Sequence, residues 1–85
     1  MKEFEYTIKD ELGIHARPAG MLVKEAAKYQ STIMLDTGVK KVDAKKIMAL
    51  MASGAVKGTV VKCTAEGPDE AEAVTAIEKF FKDNL

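Results

Sequence analysis

Short segments with a two-residue hydrophobic period alternate along this chain with segments whose apolar residues recur at helical spacing, and that alternation limits the folds open to it. Four segments have the strand-like period and three have the helical one, in the order βαββαβα. With 85 residues, the chain has room for one modest hydrophobic core. The pattern therefore predicts a single α+β domain, residues 1–85, in which a four-stranded sheet and helices on one face form a two-layer sandwich.

Alternation of apolar with polar residues marks the predicted strands. Phe4, Tyr6 and Ile8 alternate with charged or polar residues near the start of the chain, which is typical of a half-buried strand. The other strands are predicted over Thr32 to Asp36, Lys40 to Asp43 and Thr59 to Glu66, with a turn at Thr37-Gly38. If the last strand lies between the first and the second, the sheet is mostly antiparallel, as in a split βαβ unit.

The first two helices follow from helical spacing. The first is predicted from about Ala16 to about Lys28, with Pro18 near its start, where the missing N–H of proline costs nothing. Its buried face contains Ala19, Leu22, Val23 and Ala26. The second helix spans one or two turns that contain Ile47, Leu50 and Met51. Gly54 is expected to end this second helix.

The third helix follows a break in the chain at Gly67-Pro68. Asp69 is a favourable N-cap residue, and Glu72 stands three residues later, so the sequence predicts a capping box. The predicted buried stripe of this helix contains Ala73, Ile77, Phe80 and Phe81.

Composition excludes several classes of function. Thirteen basic and thirteen acidic residues balance, so the chain lacks the strong positive field of a dedicated nucleic-acid binder. The single cysteine, Cys63, forms neither an internal disulfide nor a cysteine-rich zinc site, and we interpret it as a small buried hydrophobe. The N-terminal sequence does not have the pattern of a signal peptide, and no apolar run approaches the length of a membrane span. We therefore expect a cytoplasmic protein without membrane insertion, metal or cofactor.

The segment most informative about chemistry surrounds His15, the only histidine, where the first strand gives way to the first helix. Free backbone N–H groups and the helix dipole make such a position favourable for an anion such as phosphate. The amides of Ala16 and Arg17 belong to that first turn, and the Arg17 guanidinium adds a positive charge with paired donors. Imidazole is a competent nucleophile near neutral pH. The position is suited to covalent phosphoryl transfer through His15, although a lone histidine beside an arginine is, from spacing alone, more often a solvated loop residue.

Two motifs resemble a known family. The run Gly13-Ile14-His15-Ala16-Arg17-Pro18-Ala19 is similar to the active-site signature of HPr, the histidine-containing phosphocarrier of the phosphoenolpyruvate-dependent sugar phosphotransferase system. The run from Val42 to Met51, followed by Gly54 and Gly58, resembles the second motif of that family. Length and element order also fit, so the resemblance covers the whole chain.

The resemblance implies a fold, a reaction and partners. The fold is an open-faced sandwich whose antiparallel strands have the order 1-4-2-3. His15 would be phosphorylated at Nδ1 by phospho-enzyme I and would pass the group to IIA domains of sugar permeases, while Arg17 stabilises it. Partner docking would involve Gly20, Lys24, Ile47, Met48, Met51 and Gly54. A carrier of this kind, expected to be a monomer, is a substrate of its partners more than an independent enzyme.

Three departures from the family pattern leave other functions open. Lys46 stands where many relatives have a serine that a regulatory kinase phosphorylates, so we expect no such control here. Leu12 replaces a polar residue beside the histidine, and Ser53 and Ala55 replace larger apolar residues. The alternatives are a phosphocarrier in another relay, such as a nitrogen-related or dihydroxyacetone kinase branch, and a non-catalytic regulatory module. For Met48 and Met51, spacing alone is equally compatible with core packing.

Overall fold

The computed structural model describes all 85 residues, and its elements follow the predicted order. They are β1 (Lys2–Thr7), α1 (Ala16–Ala26), β2 (Thr32–Asp36), β3 (Lys41–Asp43), α2 (Ile47–Met51), β4 (Val60–Glu66) and α3 (Glu70–Asn84). The strand order is β1-β4-β2-β3, and every pair is antiparallel. The predicted insertion of the last strand between the first and the second is therefore confirmed.

One face of the sheet forms the core together with the helices. In β4, Val61, Cys63 and Ala65 are fully buried, while the residues between them face outward. Phe81 of α3 is also fully buried, and the rings of Phe4 and Tyr6 meet it edge to face with centroids 5.6 Å away. Burial raises the pKa of the Cys63 thiol to about 12, in agreement with its interpretation as a buried hydrophobe.

The end of α1 differs from the prediction. The helix ends at Ala26 rather than near Lys28. The Lys28 N–H donates to Glu25 O at 3.2 Å and the Tyr29 N–H to Ala26 O at 3.2 Å, so the chain leaves the helix through tight turns. The predicted apolar face is present, with Ala19, Leu22 and Ala26 fully buried.

The predicted capping box at the start of α3 is wrong. The Asp69 carboxylate makes no cap hydrogen bond to its own helix. It instead accepts hydrogen bonds from the Gln30 N–H at 2.9 Å, the Ser31 N–H at 3.0 Å and the Ser31 hydroxyl. These donors, the Ser31 hydroxyl first, lower the pKa of Asp69. Asp69 therefore joins the start of α3 to the connection between α1 and β2, while Glu72 is exposed.

Beyond β1, two backbone hydrogen bonds hold the chain beside the start of β4. The Ile8 N–H donates to Thr59 O at 2.9 Å, and the Gly58 N–H donates to Ile8 O at 2.8 Å. The following residues therefore cross to α1 next to the segment that connects α2 with β4. None of the three helices combines the length and the apolar character needed to cross a lipid bilayer.

Candidate functional site

The loop between β1 and α1 is held against the connection between α2 and β4 by Gly13 and Ile14. The Ile14 N–H donates to Ala55 O at 2.9 Å, and the Gly13 N–H donates to Asp10 O at 3.0 Å. Gly13 has φ +65°, and a Cβ at this position would overlap Ala55 O and lie 2.7 Å from Val56 Cα. Only glycine fits this approach of the two backbones. The contact fixes where the next residues, including His15, enter the helix.

His15 is the N-cap residue of α1, with an extended backbone at φ −103° and ψ −174°. Its carbonyl accepts the Ala19 N–H at 2.9 Å, but its side chain makes no cap hydrogen bond. The amides of Ala16 and Arg17 therefore have no partner within the helix, and Pro18 has no N–H. No acidic residue occupies the first turn. The start of α1 thus offers two free donors and the partial positive charge of the helix dipole beside the imidazole.

The side chains of His15 and Arg17 are both accessible to a partner. The His15 side chain is 37% exposed, and Arg17 is exposed on the first turn of α1. The His15 Nε2 lies 3.8 Å from Asp10 Oδ1. The Nε2 side of the ring therefore faces a carboxylate, and Nδ1 lies on the other side of the ring.

A shallow apolar depression of about 320 Å³ lies beside the histidine. It is lined by Leu12, Ile14, His15, Ala16, Met51, Gly54, Ala55 and Val56. The places of Leu12 and Val56 on this surface are not predicted from the sequence. Both are large apolar side chains that the structure leaves exposed.

The predicted docking residues lie around α1 and α2. Ile47, Met48 and Met51 are exposed, Met48 by 76%, so neither methionine is packed in the core. A Cβ on Gly20 would lie 3.8 Å from Ile47 Cδ1, so Gly20 marks the approach of α1 to α2. Met51 and Gly54 reach the depression beside His15. Lys24 is exposed in the last turn of α1, and no ion pair holds it.

The three departures from the family pattern have different structural settings. Lys46 is exposed at the N-cap of α2. Ser53 is fully buried, and its carbonyl accepts the Thr37 hydroxyl at 2.7 Å, so it is no substitute for an exposed serine. Leu12 is 70% exposed, and its N–H donates to Asp10 Oδ1 at 2.8 Å.

The same segment carries no arrangement suited to a metal. Across the whole chain, no three side chains of His, Cys, Asp or Glu are grouped closely enough to hold an ion. The chemistry that the site can support with its own groups is nucleophilic attack by an imidazole nitrogen, with two amides and one guanidinium to receive an anion.

Comparison with known proteins identifies a family and similar structures. The family model for the PTS HPr component phosphorylation site matches residues 2–83. HPr-C-His from Thermoanaerobacter tengcongensis is 44% identical, with a TM-score of 0.91 over 98% of this chain and 93% of that one. A Mycoplasma histidine-containing phosphocarrier protein is 38% identical, with a TM-score of 0.93 over 96% and 93%.

A third similar structure is that of a protein named for catabolite repression rather than as a phosphocarrier. The Bacillus subtilis catabolite-repression protein Crh, which forms a dimer with a swapped domain, is 34% identical with a TM-score of 0.78. The match covers 100% of this chain and 98% of that one. The fold is therefore similar both to phosphocarriers and to a catabolite-repression protein.

Proposed function

The chain belongs to the HPr family of phosphocarrier proteins, and from that premise we propose that His15 accepts a phosphoryl group from phospho-enzyme I and passes it to IIA domains of sugar permeases. The observation that carries the proposal is the place of the only histidine. It stands at the N-cap of α1, beside two free amides and an exposed arginine.

The transfer reaction needs no group beyond these residues and the partners. The Nδ1 lone pair of His15 attacks phosphorus in line with the donor's leaving atom, and the new N–P bond forms as the old bond breaks. The leaving atom keeps the electron pair of the broken bond. The transferred group then carries its negative charge beside the amides of Ala16 and Arg17 and the Arg17 guanidinium. The acceptor repeats the same displacement on phosphohistidine, which regenerates the neutral ring.

Partner docking is proposed on the exposed residues that adjoin this site. Ile47, Met48 and Met51 present apolar surface next to the depression beside His15, and Lys24 presents a positive charge on α1. Apolar anchors exclude water from a contact, whereas an exposed charge mainly speeds the encounter with an acidic surface. Such a surface suits successive contacts with a donor and an acceptor.

The test combines labelling and transfer. The protein is incubated with enzyme I and phosphoenolpyruvate, and we expect one acid-labile phosphate per chain, which His15→Ala abolishes. Arg17→Ala should slow labelling, and Arg17→Lys should restore part of the rate because the charge returns without the paired donors. Labelling of the His15→Ala variant would refute the proposal for this site.

A regulatory or specialised role is the second candidate, favoured by the similarity to the catabolite-repression protein. The labelled carrier should be offered a panel of acceptors that includes sugar IIA domains, a nitrogen-related IIA domain and a dihydroxyacetone kinase subunit. Transfer only to the latter two would assign the chain to another relay. The absence of any labelling by enzyme I would indicate a non-catalytic regulatory module.

The proposal includes a monomeric carrier in the cytoplasm. Because one similar structure is a swapped dimer, the oligomeric state needs its own measurement. We expect sedimentation equilibrium to give the mass of a single 9.2 kDa chain over a wide range of concentration. A mass of two chains that does not depend on concentration would refute the proposal that the protein is a monomer.

A further inference from the structure

We propose that Asp10 is the positioning residue of the histidine: its carboxylate holds the proton of the imidazole on Nε2 and compensates the positive charge that the ring gains during transfer. This inference rests on the proposed function of His15 and adds a residue to it. No role for Asp10 is predicted from the sequence, and the side chain of Leu12 has no polar atom that could support the histidine.

Asp10 is fixed in place by three hydrogen bonds. Its carboxylate oxygen Oδ1 accepts the Leu12 N–H at 2.8 Å, its N–H donates to Leu85 O at 2.8 Å, and its carbonyl accepts the Gly13 N–H at 3.0 Å. Its side chain and carbonyl are therefore held by the loop that precedes α1, and its N–H is held by Leu85 at the end of the chain. The carboxylate has a defined position without any contact to the histidine.

From that position the same oxygen faces the ring. Asp10 Oδ1 lies 3.8 Å from His15 Nε2, too far for a hydrogen bond but close enough for a direct electrostatic interaction. A carboxylate beside Nε2 favours the tautomer that carries its proton there. Nδ1 then has the free lone pair, as the proposed transfer requires.

The charge on the ring during transfer gives the carboxylate a second effect. When Nδ1 bonds to phosphorus and Nε2 keeps its proton, the ring becomes an imidazolium, and no proton has to leave. A full positive charge 3.8 Å from a carboxylate is favoured roughly sixfold even at the dielectric constant of water. The Asp10 side chain is 31% exposed, so screening is only partial and the interaction is retained at moderate salt.

The chain offers a matched pair of variants to test this. Asp10→Asn removes the charge but keeps a carbonyl oxygen that can accept the Leu12 N–H. Glu11→Gln makes the same charge change one residue later, at a side chain that is 81% exposed and pairs with Lys57 at 2.6 Å rather than with the ring. Any effect specific to the contact with His15 must appear in the first variant and be absent from the second.

The first measurement is made on unphosphorylated protein, so it does not depend on any partner. Nitrogen-15 chemical shifts of the His15 ring, recorded where the imidazole is neutral, report which nitrogen carries the proton. We expect Nε2–H in the native protein and a rise of about twofold or more in the Nδ1–H population in Asp10→Asn, with Glu11→Gln unchanged. Equal tautomer populations in the two variants would overturn the inference.

The second measurement is the rate of labelling by enzyme I and phosphoenolpyruvate. Asp10→Asn should be roughly three- to tenfold slower than Glu11→Gln, at an unchanged urea midpoint. A shifted tautomer without a slower rate would show that Asp10 does not serve the transfer. If the native protein acquires no phosphate at all, the proposed function fails, whereas the nitrogen shifts still decide whether Asp10 holds the proton on Nε2.

Discussion

Replacing Gly13 with alanine tests the contact that places the candidate site. Gly13 has φ +65°, a conformation that costs a residue with a side chain roughly 1–2 kcal/mol. An added Cβ would also overlap Ala55 O and lie 2.7 Å from Val56 Cα, both backbone atoms that cannot rotate away. The loop must therefore move off the connection between α2 and β4.

Gly38 provides a matched control for this substitution. It has φ +86°, but a Cβ there would meet no atom within 4 Å. Gly38→Ala therefore measures the conformational cost alone, reduced by about 0.4–1 kcal/mol because alanine restricts the unfolded chain. Gly13→Ala adds forced displacement, about 1–3 kcal/mol, and a weakened hydrogen bond from the Ile14 N–H to Ala55 O, about 1 kcal/mol.

The expected difference between the two variants is thus about 2–4 kcal/mol in the free energy of unfolding. Urea titration followed by circular dichroism measures it from the shift in midpoint at unchanged slope. Because His15 follows two residues after Gly13, we also expect labelling by enzyme I to be slowed in Gly13→Ala alone. Equal midpoints for the two variants would refute the claim that close backbone approach, rather than φ, requires glycine here.

Three further predictions concern other parts of the molecule. The pKa of Asp69 lies below its usual 3.8 in the folded protein, so the stability that its charge contributes is present above about pH 4 and is lost as the pH falls through the folded-state value. Urea titration at several pH values should therefore show that the difference in free energy of unfolding between the native protein and Asp69→Asn shrinks on acidification. A difference that grows would contradict this. Because burial raises the pKa of Cys63 to about 12, a thiol reagent at pH 8 should leave the folded protein unmodified and react fully in urea, and fast reaction of the folded protein would place Cys63 at the surface. Met48→Ala should change the free energy of unfolding by less than about 0.5 kcal/mol, because the side chain is 76% exposed. It should nevertheless raise the carrier concentration needed for half-maximal transfer, and unaltered transfer kinetics would exclude Met48 from the docking surface.

The parts of the fold that depend on periodicity could be predicted from the sequence. The alternation of Val61, Cys63 and Ala65 with polar residues indicates a strand with one buried face, and that face is buried in the structure. The helical spacing of Ala19, Leu22 and Ala26 likewise identifies the buried side of α1. Such patterns are sufficient because burying a continuous apolar face dominates the energetics of a small domain.

Contacts between distant segments could not be predicted in the same way. Asp69 has the sequence context of an N-cap, but the amides and hydroxyl it binds lie 38 or 39 residues earlier in the chain, and they compete successfully with its own helix. The need for Gly13 likewise depends on Ala55 and Val56, which approach only in the folded chain. Local patterns carry no information about such partners.

In the candidate site, too, some residues could be predicted from local sequence and others could not. His15 and Arg17 could be proposed from the sequence because a helix start favours phosphate and because the surrounding motif resembles a family. Asp10 could not, since its relation to the ring depends on how the loop folds between β1 and α1. The one local signal is an aspartate followed two residues later by an amide it can bind, as in an Asx turn.

The most direct test of the central claim is to observe the bond between phosphorus and the histidine ring. The protein, labelled with nitrogen-15 in histidine, is phosphorylated by enzyme I and phosphoenolpyruvate and examined by phosphorus and nitrogen magnetic resonance. We expect a coupling between phosphorus and Nδ1 of His15 that disappears when an acceptor IIA domain is added. Phosphate attached to another residue or to Nε2, or a signal that survives every acceptor, would contradict the account.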